Sequence, residues 1–191
     1  MTFEEIDGII ADIYADHQIS QMGFDPIRLA KDMGYLVIPY SDFPPEKQPL
    51  LQKESADGFS VYNPRSQRCE IFYNDQPSQP GRIFFTIPHE IGHIELGHIF
   101  EKENTEQMEF DADRFARKLY VPHIIVIRRN LTTCSMLMST FFITYSYASV
   151  ILRTIERRKK NSKNGEIIFN SNELRLYKTF CYYEELCSDK K

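Results

Sequence analysis

The segment HEIGHIELGH, which begins at His89, constrains this chain more than any other feature. It contains H-E-x-x-H, and histidines at positions i and i+4 of a helix lie one turn apart on the same face. That spacing lets His89 and His93 bind one Zn²⁺ ion. Glu90 lies about 100° around the helix from His89, so its carboxylate can face a metal-bound water without being a ligand. We therefore expect a helix over Phe85–Phe100 that carries a metal site.

A second segment, which contains Glu109 and Asp113, offers candidates for a third ligand. A catalytic zinc site has three protein ligands and one open position, so the two histidines need a partner. Glu109 and Asp113 lie one turn apart on a helix that we predict over Thr105–Tyr120. One of the two carboxylates can then reach the metal, while the other accepts the spare N–H of a ligating histidine.

His98 is a third histidine in the same segment and must be considered as a possible third ligand. On a continued helix it would point about 180° away from His89, so we expect a helix-end residue and not a ligand. The alternative for the whole cluster is a histidine-containing core without metal, because H-E-x-x-H alone also occurs by chance. The conjunction with the second acidic helix favours the metal site.

Local signals predict the other elements and an α+β fold. The spacing of apolar residues predicts a first helix, and an N-cap residue together with a glycine after the last turn marks a second. Segments in which apolar and polar residues alternate predict a strand and then a hairpin. These elements are Phe3–His17, a helix between Asp25 and Gly34, Tyr35–Tyr40, and the pair Gly58–Tyr62 and Arg68–Tyr73.

Composition narrows the class of protein. The chain has 191 residues and a net charge of −4, which argues against a general nucleic-acid binder. Its four scattered cysteines predict reduced thiols, and its acidic N-terminus is unlike a signal peptide, so we expect a cytoplasmic protein. Leu131–Leu152 is uncharged but contains eight Ser or Thr residues, which argues against a membrane span.

These segments resemble the ImmA/IrrE metallopeptidases of bacterial and phage regulatory systems. The residues that carry the resemblance are Gly58–Phe59, Ile71–Asn74, HEIGHIELGH from His89, and EFDADRFARKLYVP over Glu109–Pro122. The resemblance covers roughly Ile6–Leu152. It implies a small gluzincin-like domain, in which a short antiparallel sheet packs on the H-E-x-x-H helix and on a second ligand-bearing helix, followed by a C-terminal helical segment.

The resemblance also implies roles for individual residues. By matching position, His89, His93 and Glu109 would bind one zinc ion per chain, and Glu90 would act as the catalytic base in peptide-bond hydrolysis. Asp111 occupies the second acidic position of the family's pattern and is the alternative third ligand. We prefer Glu109, because Asp113 then completes the E-x-x-x-D pair as the outer partner.

Pro88 departs from the family, which usually has a helix-favouring residue at this position. Inside a helix, Pro88 would remove one backbone hydrogen bond and kink the helix. If Thr86 capped the helix instead, Pro88 would fall in the first turn at little cost.

We predict a metallopeptidase domain over residues 1–122, a helix–turn–helix-like extension over 123–160 and a packed tail over 161–191. The resemblance implies a protein substrate, namely a helix–turn–helix repressor. The alternative function is a DNA-binding regulator that uses Ser139–Thr154, with the metal site structural or degenerate. Tyr145–Leu152, the would-be recognition helix, contains no Arg, Lys, Asn or Gln, which argues against this alternative.

Overall fold

The computed structural model describes residues 2–76, 80–162 and 165–188. The strands are β1 (Leu36–Pro39), β2 (Gly58–Asn63) and β3 (Arg68–Tyr73). The helices are α1 (Phe3–Asp16), α2 (Pro26–Asp32), α3 (Gln48–Glu54), α4 (Ile83–Glu95), α5 (Glu106–Tyr120), α6 (His123–Arg128), α7 (Cys134–Phe141), α8 (Tyr145–Lys160) and α9 (Ser171–Ser188). The α+β class is confirmed.

The three strands form one sheet in the order β1-β3-β2. β2 and β3 pair antiparallel, as predicted, with Ser60 opposite Ile71. β1 pairs parallel with β3, so the sheet is mixed and the predicted all-antiparallel arrangement is wrong for this strand. The chain passes through α3 and β2 before it returns to β3, and a connection of that length permits parallel pairing. β2 consequently lies at one edge of the sheet.

Residues 25–116 form one compact unit, which contains the sheet and α2 to α4. Helix α4 packs on β2 and β3. Its buried face carries Ile87 and Ile91, and β3 contributes the buried Ile71. Gly92, on the same helix, is also buried. The helix that contains H-E-x-x-H is therefore fixed to the sheet by aliphatic packing, which holds its histidine face in place.

The ends of α4 differ from the prediction. The helix begins at Ile83, so Pro88 lies inside it and Thr86 is not its cap. The Thr86 hydroxyl donates to the carbonyl of Arg82 at 3.1 Å instead. The helix ends at Glu95 because Gly97 adopts the left-handed conformation, with φ of 75°, and the predicted end at Phe100 is therefore wrong.

Residues 1–24 and 117–191 form the second compact unit. Here α1 packs along α9, and the Tyr14 hydroxyl donates to the carbonyl of Leu119 at 2.9 Å. A polar cluster lies inside this unit, where Asp7 pairs with Lys118 and Arg158 pairs with Glu173 at 2.7 Å. The domain boundaries expected at residues 122 and 160 stay a prediction.

Helices α7 and α8 are bent by 119° at a three-residue break. Phe142, in this break, has a φ of 56° and ends α7, while Thr144 caps α8 by accepting from the Tyr147 N–H at 3.3 Å. This angle is typical of a helix–turn–helix. The exposed residues at the start of α8 are Tyr145 and Ser146. The angle between the helices does not test DNA binding, which stays the alternative hypothesis.

Within the described ranges, no single helix is long and apolar enough to cross a membrane. Helices α7 and α8 meet that criterion only when they are taken together as a bent pair.

Candidate metal centre

The two histidines of the H-E-x-x-H motif lie side by side on α4. Their Nε2 atoms are 3.0 Å apart, and the ring centroids of His89 and His93 are separated by 4.7 Å. Both rings are largely buried, with side-chain exposures of 14% and 11%. The one-turn spacing predicted from the sequence therefore brings the Nε2 atoms of the two imidazoles next to each other.

Helix α5 approaches α4 closely and brings Glu109 to this point. A Cβ atom on Gly92 would lie 3.1 Å from the Phe115 ring and 3.3 Å from the backbone of Ala112, so the contact depends on glycine. Glu109 Oε2 lies 3.3 Å from His89 Nε2, and its Oε1 lies 3.5 Å from His93 Nε2. The small residues of the two helices thus let a carboxylate reach both histidines.

The geometry of the three side chains fits a zinc ion. One ligand atom from each of His89, His93 and Glu109 lies within 4.8 Å of the others. Bonds of 2.0–2.1 Å at tetrahedral angles separate neighbouring ligand atoms by about 3.3 Å, which agrees with the separations of 3.0, 3.3 and 3.5 Å. Two imidazoles and one carboxylate are also a donor set typical of a catalytic zinc site with an open position.

Asp113 and Asp111 occupy different surroundings on α5. Asp113 Oδ1 lies 3.0 Å from His89 Nδ1, the ring nitrogen that faces away from the cluster. Asp111 is buried, at 3% exposure, and accepts from Gln107 Nε2 at 3.1 Å. Its carboxylate is not among the clustered ligand atoms found in the described residues.

Glu90 is a buried carboxylate at the wall of the same cleft. It is 6% exposed, and its Oε2 accepts a hydrogen bond of 2.8 Å from the Ser60 hydroxyl on β2. Burial raises the pKa of Glu90, while the nearby His89 and the hydrogen bond from Ser60 oppose that rise. A carboxylate whose pKa is raised above its ordinary value takes up a proton more readily, which suits a group that must accept a proton and release it again.

The pKa values of the two histidines are shifted in opposite directions. Burial, followed by the proximity of His89, lowers the pKa of His93 to about 4, so His93 is neutral at pH 7. Burial also lowers the pKa of His89, but contact with Asp113 and the charges of Glu90 and Glu109 outweigh it and leave the pKa raised. A site that gathers carboxylates around imidazoles attracts a cation, which would take the place of the histidine proton.

The centre opens into a cleft of about 540 Å³. One wall is the edge strand β2, from which Gly58, Phe59 and Ser60 line the cleft. Glu54, Asp57 and Glu101 also line it, and no Lys or Arg does so among the residues that the structure describes. The cleft therefore favours positively charged groups.

Two neighbours of the centre could not be identified from motif spacing. Ser60 is distant in sequence, and only the antiparallel pairing of β2 places its hydroxyl at Glu90. His98 does not point away from the centre as expected on a continued helix, because α4 ends before Gly97. Its Nδ1 lies 3.2 Å from His93 Nδ1. Gly97, three residues before the expected end at Phe100, is the signal in the sequence that the helix ends earlier.

Comparison with known proteins agrees with this geometry. No curated protein matches the chain significantly. The family model for peptidase M78, described as the IrrE N-terminal-like domain, matches residues 50–145, which is about half of the chain. The match contains both helices of the candidate centre, and it confirms the resemblance seen in the sequence. The chain therefore belongs to the peptidase M78 family, a family of metallopeptidases.

Proposed function

We propose that the chain is a zinc-dependent peptidase in which His89, His93 and Glu109 hold one zinc ion and Glu90 is the catalytic base. One observation carries the proposal. The three potential ligands converge within 4.8 Å in a cleft whose wall also presents the buried carboxylate of Glu90. Asp113 is the outer partner of His89, and the alternative ligand Asp111 is not among the clustered ligand atoms.

The chemistry follows from what each residue can do. Zinc, when bound, supplies a Lewis acid that polarises a scissile carbonyl and makes water more acidic. Glu90 accepts the proton of the attacking water in the cleft and passes it to the leaving amine. The hydroxyl of Ser60 holds the Glu90 carboxylate in place for this transfer.

A peptide substrate has a natural binding surface beside the centre. β2 is at the edge of the sheet, so an extended peptide can pair with it by backbone hydrogen bonds. The acidic lining of the cleft favours substrates with basic residues near the cleaved bond.

The substrate that we propose is a helix–turn–helix transcriptional repressor, cleaved at a single site so that repression is relieved. This proposal rests mainly on the family resemblance. We expect the reaction to occur in the cytoplasm, where such repressors act.

The test is incubation with a helix–turn–helix repressor encoded beside this chain, with and without a zinc chelator, followed by mass spectrometry of the fragments. We expect a single cut, near basic residues, that the chelator abolishes. Casein serves as the control for general proteolysis. Rapid, chelator-sensitive degradation of casein with the repressor left intact would contradict the proposed substrate and leave a general peptidase.

A further inference from the structure

His98 lies behind one of the proposed ligands. The left-handed conformation of Gly97 ends α4 and starts a separate 3-10 turn over His98–Phe100. This reversal brings His98 Nδ1 to 3.2 Å from His93 Nδ1, and the two ring planes meet at 72°. His98 also lines the cleft.

The two nitrogens of His93 face in different directions, and this fixes where its proton must be. Its Nε2 points to His89 and Glu109, at 3.0 Å and 3.5 Å. A metal at that point requires a bare Nε2, so the proton of a neutral His93 is on Nδ1. The group opposite Nδ1 must then accept a hydrogen bond, and that group is His98 Nδ1.

We propose that His98 is a positioning residue that accepts the His93 Nδ1–H and so directs His93 Nε2 towards the metal. The proposal rests on the proposed zinc site. It requires His98 to be neutral, with its own proton on Nε2. His98 acts through His93 and needs no contact with substrate or metal.

Each of the three proposed ligands is then in contact with a residue outside the cluster. Asp113 lies at His89, His98 lies at His93, and the Asn104 side-chain amide donates to Glu109. Loss of such an outer partner weakens metal affinity about 10- to 100-fold. We expect a loss of that size when His98 is removed.

The test measures zinc affinity by competition with a chromophoric chelator, so that it does not depend on catalysis. His98→Ala should weaken zinc binding about 10- to 100-fold. His98→Gln, whose side-chain carbonyl can accept the same N–H, should restore most of the affinity. His17→Ala, which removes a histidine outside residues 25–116, is the matched control and should bind zinc as the wild type does.

A second readout reports the proton positions directly. In the zinc-loaded protein labelled with ¹⁵N-histidine, NMR should show His93 protonated at Nδ1 and His98 protonated at Nε2. A His98 protonated at Nδ1 would overturn the inference, as would His98→Ala binding zinc like the wild type, or equal losses in the Ala and Gln variants. A wild-type chain without zinc affinity would instead overturn the proposed function, and this inference with it.

Discussion

Glu109 and Asp111 show how two neighbouring carboxylates acquire different roles. Two residues apart on a helix, they point about 160° away from each other. Glu109 has a side chain that is 49% exposed and reaches across to the histidines of α4. Asp111 is buried and hydrogen-bonded to Gln107. The difference in direction, rather than in chemistry, makes Glu109 the proposed ligand.

Zinc content separates the two carboxylates. Glu109→Ala removes one of three ligands, so we expect it to weaken zinc binding by more than the roughly 100-fold upper value for an outer partner. Asp111→Asn preserves the size and hydrogen-bonding capacity of the buried side chain, and it should retain about one zinc per chain. Inductively coupled plasma mass spectrometry measures the zinc content of both purified variants. Full zinc in Glu109→Ala together with loss in Asp111→Asn would reverse the ligand assignment.

We expect His123, on α6, to make the stability of the second compact unit depend on pH. It is buried, and its Nδ1 lies 3.4 Å from a guanidinium nitrogen of Arg158. Burial, followed by the charges of Arg158 and Lys118, lowers its pKa to about 3. The unfolded chain binds this proton below about pH 6.5, whereas the folded chain does not until about pH 3. Acidification between these values therefore favours unfolding.

Below the ordinary histidine pKa of about 6.5, the free energy of unfolding should fall by up to about 1.4 kcal/mol per pH unit for this one proton. Urea unfolding at pH 7.5, 6 and 5 measures the slope for the wild type and for His123→Gln, whose side chain has no proton to gain. We expect a shallower slope in the variant, whatever its stability at pH 7.5. Identical slopes for the two proteins would show that His123 does not contribute.

Features set by local sequence could be predicted, and features set by distant pairing could not. The spacing of His89 and His93 follows from helical periodicity, and the packing of α5 against α4 brings Glu109 to them. Asp25 caps α2, as predicted, because its side chain accepts hydrogen bonds from backbone N–H groups in the first turn of the helix. The parallel pairing of β1 and the contact of Ser60 with Glu90 depend on sheet order, which no local pattern specifies.

At the scale of the whole molecule, the candidate centre lies entirely within residues 25–116. The family match, over residues 50–145, covers the centre and extends past α5 into the second compact unit. The remaining helices carry no residue of the proposed centre among those described. Their proposed contribution is selectivity for the repressor, since the segment after Pro122 is rich in Phe, Tyr and Met, which are common in docking surfaces.

The measurement that tests the central claim most directly compares the wild type with Glu90→Gln for both zinc content and repressor cleavage. Both proteins should hold about one zinc ion per chain, because Glu90 is not a proposed ligand. Cleavage by the variant should fall by at least about 10²- to 10⁴-fold, since only the proton-transfer group is lost. Cleavage at the wild-type rate by Glu90→Gln, or loss of zinc together with activity, would contradict the account.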